Sequence, residues 1–217
     1  MRRRLALGLA LAAALVAAAA RAQPAHRRGF AGAEGWARVF DDPARDQWQK
    51  PQQVIEALRL APDAVVADIG AGTGYFTMRL AQAVPGGRVI AADVEPDMVR
   101  YVEQRARQME LANVTAVLAS ADDPRLPAAV DCVLLANTYH HIGDREAYFR
   151  RLAALLKPGA TVAIIDHRPE SPVGPPRSMR VPEEAVKAEM QRAGYLLSAE
   201  HDFLPRQHFL VFRRAAR

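Results

Sequence analysis

From Pro51 onward the chain alternates between two hydrophobic periods. Ala64–Ile69, Arg88–Asp93, Val114–Ala119, Asp131–Ala136 and Ala160–Asp166 are short, mostly apolar runs. Such runs fit strands buried on both faces of a parallel sheet. Stretches of helical spacing lie between them. Val54, Ile55 and Leu58 share one face of Gln52–Leu60, which Pro51 opens, and Met98, Val102, Ala106 and Met109 are spaced along a face of Pro96–Leu111. Thr73–Val84 reads as a helix stopped by Pro85-Gly86-Gly87, and Asp144–Leu156 as one stopped by Lys157-Pro158-Gly159. Alternation of this kind predicts βαβ units, and handedness then leaves a doubly wound α/β sheet. The pattern changes after the fifth strand. His167–Arg180 holds four prolines and reads as a mobile loop. Pro182–Arg192 reads as a helix ended by Gly194. Tyr195–Asp202 and Gln207–Phe212 read as strands joined at Leu204-Pro205-Arg206, an antiparallel hairpin closing a sheet of about seven strands.

The first 50 residues do not share this rhythm. Gln23–Lys50 has little periodicity and carries Trp36, Phe40 and Trp48 among Gly, Asp and Arg, so it reads as a flexible arm or a cap over a site. Residues 1–22 read as a secretory signal. Arg2-Arg3-Arg4 precede an apolar run of 16 residues, Leu5–Ala20, and Ala20-Arg21-Ala22 offers small residues for cleavage before Gln23. The arginines also suit twin-arginine export, although Leu5-Ala6-Leu7 completes that pattern poorly. The chain then divides into a signal (1–22), an arm (23–50) and one domain (51–217), with a periplasmic or secreted destination. An uncleaved anchor is the alternative.

Charge changes meaning in this light. The chain has 217 residues and a net charge of +5, which invites a nucleic-acid reading. Four of the arginines lie in the first 22 residues, beside no acid, and without them the net charge is +1. No broad phosphate-binding surface is therefore expected, and no nucleic-acid partner. One cysteine, Cys132, excludes an internal disulfide framework and a cysteine metal cluster. No run after residue 22 approaches the roughly 20 apolar residues of a membrane span, so no stable membrane insertion follows cleavage.

The most informative segment is Asp68-Ile69-Gly70-Ala71-Gly72-Thr73-Gly74-Tyr75, where a strand turns into a helix. Glycines there permit a tight turn and close approach of a ligand. A dinucleotide site wants G-x-G-x-x-G, but this pattern is G-x-G-x-G and the third fingerprint position is Tyr75. Asp68 would repel a pyrophosphate and would suit a cation such as an amino acid ammonium.

This segment resembles motif I of class I S-adenosylmethionine-dependent methyltransferases, and the resemblance runs over about residues 51–212. It implies a Rossmann-like fold and S-adenosylmethionine as cofactor. It places Asp68, Gly70, Ala71, Gly72, Thr73, Gly74 and Tyr75 at the donor. Asp93, with Val94 beside it, matches the acid that holds the ribose hydroxyls. Ala121 and Asp122, after Ser120, match the position near the adenine amino group, although Asp122 equally suits a turn with Asp123-Pro124. Asn137 matches the segment lining the methyl-donor pocket. In resembling enzymes the segment before the first helix, here Trp48-Gln49-Lys50, folds over donor and acceptor.

Methyl transfer is an in-line displacement that needs positioning, exclusion of water and, for some acceptors, a base. His140 and His141, after the fourth strand, are the candidate bases; Asp166-His167 is a second candidate pair that also reads as a strand-end turn. An N/D-P-P-Y motif for nucleic-acid amino groups is absent from Asn137-Thr138-Tyr139-His140. Cys132 sits inside an apolar strand, which points to burial rather than nucleophilic attack. No trio of oxygen ligands suggests a metal. A small organic acceptor is the expectation. Two alternatives stand beside it: an exported protein that binds S-adenosylmethionine or S-adenosylhomocysteine without transfer, and an NAD-linked oxidoreductase, which the absent third glycine disfavours.

Overall fold

A computed structural model of the protein describes residues 32–215; the signal reading at 1–22 and the first part of the arm lie outside them. The described arm forms two short helices, α1 (Ala33–Phe40) and α2 (Arg45–Gln49), followed by α3 (Pro51–Leu58). Lys50, in the left-handed region at φ 44°, turns the chain between the last two.

The domain then runs β1 (Val65–Ile69), α4 (Tyr75–Ala83), β2 (Arg88–Asp93), α5 (Pro96–Gln108), β3 (Val114–Leu118), β4 (Val130–Ala136), α6 (Arg145–Leu152), β5 (Leu156–His167), α7 (Glu183–Arg192), β6 (Tyr195–His201) and β7 (Gln207–Arg214). Seven strands form one sheet in the order β3-β2-β1-β4-β5-β7-β6. β7 alone runs antiparallel to its neighbours, β5 and β6. This is the doubly wound α/β arrangement with a terminal hairpin. The order reverses between β1 and β4, and that switch point opens a crevice at the strand C-termini.

Both faces of the sheet are covered. Ile69, Val133, Val162, Ile164, Leu210 and Phe212 pack under α6 and α7 through Phe149, Leu152, Val186 and Met190. Val66, Cys132, Leu134, Ile165 and Phe209 pack under α3 and α4 through Val54, Phe76 and Leu80. Cys132 is fully enclosed, and burial pushes its thiol up to about 11, so it acts as a small core residue.

Three expectations change. α4 starts at Tyr75 rather than Thr73, because Gly72 and Gly74 take φ of 56° and 84°, outside the helical region. Lys157-Pro158-Gly159 does not separate a helix from a strand; it lies within β5. Leu156 pairs with Val130 and Thr161 with Cys132, so the residues between Leu156 and Thr161 bulge out where Pro158 owes no ladder bond and Gly159 takes φ 79°. The proline-rich segment after β5 is pinned by Arg180, which donates to the carbonyls of Pro175, Pro169, Ser171 and Val173.

Candidate active site

The crevice at the switch point is one cavity of about 270 Å³, near the lower end of small-molecule sites at roughly 300–1,000 Å³. It brings together Asp68, Gly70, Ala71, Gly72, Thr73, Tyr75, Asp93, Val94, Ala121, Asn137, His140 and His141 from four strand ends. Two expected residues stay out of its wall. Gly74 caps α4 from the left-handed region instead. Asp122 accepts from the Ser120 hydroxyl at 2.8 Å, and its carbonyl accepts from Arg151, so it builds the turn after β3.

The turn leaves no room for a side chain at Gly70. A Cβ on Gly70 would lie 2.2 Å from the Thr138 hydroxyl, and Gly70 takes φ 73°. The Gly70 and Ala71 amides donate to the Ala92 carbonyl at 2.7 and 3.2 Å, which ties the turn to the end of β2. Asp93 lies at that end. Its Oδ2 accepts from the Gly72 amide at 2.7 Å and its Oδ1 from the Glu95 amide at 3.0 Å. Each oxygen keeps a lone pair for a further donor. Burial pushes the Asp93 carboxyl above its ordinary value. Thr73 Oγ1 is buried with no partner in this wall.

Asp68 sits deeper, 2% exposed, and accepts from the Thr77 hydroxyl at 2.6 Å. Burial, reinforced by nearby Asp93, pushes it up to about 6. An acid, an orphan hydroxyl, a Cβ-free cradle and a carboxylate with free lone pairs fit a nucleoside that carries a cationic amino acid. Asp93 would hold its hydroxyls and Asp68 its ammonium.

The opposite wall joins two pairs far apart in sequence. The His140 ring donates or accepts through Nδ1 at 2.9 Å from both Asp166 oxygens, and Asp166 also accepts from the backbone amides of His140 and His167 at 3.1 and 2.7 Å. Asp166 is wholly buried, which would raise its carboxyl; the bonds and charge of His140, with the two amides, outweigh this and hold it below the ordinary value. An ionised Asp166 makes Nδ1 the donor, and in the neutral tautomer this selects, Nε2 carries the lone pair. The His141 ring lies tilted against that of His140, with centroids 4.1 Å apart; desolvation, then that neighbour, push it down to about 4. His167 is not in the cavity wall and packs near Trp48, with ring centroids 5.9 Å apart.

Asn137 lines the cavity, but its amide is already engaged. Its Nδ2 donates to Gln49 Oε1 at 3.4 Å and its Oδ1 accepts from Gln207 Nε2. From the arm, Phe40 and Arg45 reach the cavity rather than Trp48; Tyr148 and Met179 also line it. Sequence reasoning missed these four, since none belongs to a motif. The aromatic content of the arm was the one signal pointing toward Phe40.

This fold is similar to that of solved S-adenosylmethionine-dependent methyltransferases. Residues 66–159 match the family described as a methyltransferase domain. The chain is 31% identical over 104 residues to a ubiquinone/menaquinone biosynthesis C-methyltransferase of Pasteurella multocida, covering 46% of this chain and 39% of that one. It is 29% identical over 163 residues to a nocamycin O-methyltransferase of Saccharothrix syringae, covering 70% of this chain and 58% of the relative. A solved S-adenosylmethionine-dependent methyltransferase from Aquifex aeolicus superposes with a TM-score of 0.77 at 26% identity, covering 82% of this chain and 96% of that one. The chain spans about half, or less, of the first curated relatives it matches, at 39% and 49% of their lengths.

Proposed function

We propose that the protein transfers a methyl group from S-adenosylmethionine to a small organic acceptor by in-line displacement. The observation that carries this reading is the joining of two half-sites in one cavity. Asp68, the turn from Gly70 to Thr73 and Asp93 form a donor half, and His140 backed by Asp166 forms an acceptor half. When bound, the donor supplies an electrophilic methyl on its sulfonium. The chain's part is to orient, to exclude water and to accept a proton at His140 Nε2 from an acceptor that must lose one. The relatives are a C- and an O-methyltransferase, which supports a small organic acceptor without choosing the methylated atom.

Calorimetry with S-adenosylmethionine, S-adenosylhomocysteine and NAD tests the donor. Binding of the first two and not the third is expected, and the reverse would overturn the reading. Binding without methyl transfer to any acceptor pool would make the protein a binding module instead.

We also propose export. The basic start, the apolar run Leu5–Ala20 and the small residues before Gln23 support it. A chain lacking its first 22 residues is expected in the periplasmic fraction or the medium, and its absence from both would refute export.

A further inference from the structure

Three side-chain amides close a ring beneath the arm. Gln49 Nε2 donates to Gln207 Oε1 at 2.6 Å, Gln207 Nε2 donates to Asn137 Oδ1, and Asn137 Nδ2 donates to Gln49 Oε1 at 3.4 Å. Each amide gives one N–H and accepts one. Gln49 and Gln207 are fully buried and lie outside the cavity wall, whereas Asn137 lines it. The ring thus joins segments far apart in the chain: the end of α2, the residue after β4 and the start of β7.

A ring of amides can run in either direction, since every member carries both donor and acceptor. Here a neighbour decides. Arg45 Nε donates to Gln49 Oε1 at 3.3 Å, and a guanidinium has no acceptor to offer. The Gln49 oxygen therefore faces Arg45, its Nε2 faces Gln207, and the order of the other two follows. Arg45 is itself held by its Nη1 bond to the Phe40 carbonyl at 2.7 Å and by the Tyr75 ring, 3.8 Å away, in the field of Asp41 and Asp68. Main-chain bonds fix the other two members. The Asn137 amide donates to the Ile165 carbonyl at 2.8 Å from a left-handed backbone at φ 60°, and Arg168 Nε donates to the Gln207 carbonyl at 2.9 Å. A buried amide that loses one partner leaves a polar atom unpaired away from water, so the three bonds hold one another. The arm also supplies Phe40 and Arg45 to the cavity wall. Unseating Gln49 would withdraw both and release Asn137.

We propose that Gln49 and Gln207 are positioning residues of the cavity. Their ring latches the arm over it and holds Asn137 in its wall, so both glutamines set ligand affinity without touching a ligand. The inference rests on the methyltransferase reading only for its probe, S-adenosylhomocysteine.

The test compares the full-length wild type with Gln49→Met, Gln207→Met and the double variant. Trypsin cleavage after Arg38 and Arg45, without ligand, reads the seating of the arm, since cleavage follows the population that opens. Calorimetry reads S-adenosylhomocysteine, and thermal melting reads the fold. Each single variant is expected to speed arm cleavage and to weaken S-adenosylhomocysteine by about tenfold, as loss of one buried partner requires. The double variant should also stop at about tenfold, where independent residues would reach about a hundredfold. Variants that melt lower yet keep wild-type cleavage and affinity would assign the amides to the fold alone and overturn the proposal. Additive losses in the double variant would overturn it too. If Met at either position prevents folding, exchange of the side-chain amide protons in the wild type decides: slow exchange at Gln49, Gln207 and Asn137 is expected, and fast exchange overturns the latch. A wild type that does not bind S-adenosylhomocysteine would strike the methyltransferase reading, while cleavage of the ligand-free arm still decides the latch.

Discussion

Asp68 should weaken the empty protein that it serves. It is 2% exposed, has one hydroxyl partner, Thr77, and titrates near 6 rather than 3.8. At about 1.4 kcal/mol per pH unit, holding this group ionised at pH 7.5 costs the fold about 3 kcal/mol. Asp68→Asn keeps an acceptor for Thr77 and removes the charge. The buried amide costs something itself, so the net gain should be about 2 kcal/mol, or roughly 4–8 °C in Tm for a chain of this size. The sign with pH follows from the direction of the shift. Above about 6 the penalty is complete in the wild type. As pH falls from 6 toward 3.8, the native carboxyl takes up its proton before the unfolded one does, and the penalty fades. The variant's advantage should thus be largest at pH 7.5 and should vanish near pH 4. Thermal and urea unfolding across that range measure it. The same variant should bind S-adenosylhomocysteine about tenfold more weakly, having lost the partner for the ammonium. No stability gain at pH 7.5, or a gain that persists unchanged at pH 4, would refute the electrostatic reasoning. A gain with undiminished affinity would refute the ammonium role.

Three further outcomes are expected. Asp93→Ala should lose S-adenosylhomocysteine binding by at least about tenfold with the fold intact by circular dichroism; retained affinity would count against the ribose role. Asp166→Asn should cut methyl transfer by about 10²–10⁴-fold while leaving donor affinity nearly unchanged, because the amide no longer enforces the His140 tautomer with Nε2 free. The depressed carboxyl of Asp166 supports the fold above about pH 4 and loses that support as pH falls through its native value, so wild type and variant should converge in stability in strong acid. Gly70→Ala should destabilise by about 2–4 kcal/mol in urea unfolding, since its Cβ would meet Thr138 at 2.2 Å from a backbone at φ 73°.

Much of the fold was legible in the sequence, because the signals that set strands, helices and turns are local. Apolar runs with few polar breaks marked the first five strands to within a residue or two, except at the start of the fifth. There Lys157-Pro158-Gly159 reads as a stop, yet the sheet carries it as a bulge by pairing on both sides of it. The glycine turn and Asp93 were legible for the same local reason: strand, Gly and acid follow one another in the chain. The Asp122 turn was equally local, and the chain alone left two readings of it open.

Register and crossover decided the rest. His140 and Asp166 face each other because β4 and β5 are parallel neighbours whose C-terminal ends coincide, which no spacing between residues 140 and 166 reveals. Arg45 reaches the cavity because a buried amide cluster, Gln49 with Asn137 and Gln207, draws the arm onto the ends of β4 and β7. The sequence by itself determined which elements form and where the glycine turn and the acid after β2 lie, since backbone propensity and glycine conformation act over a few residues. The tertiary structure alone decided which histidine is held and by which acid, since charges and hydrogen bonds act through space between segments that only packing brings together.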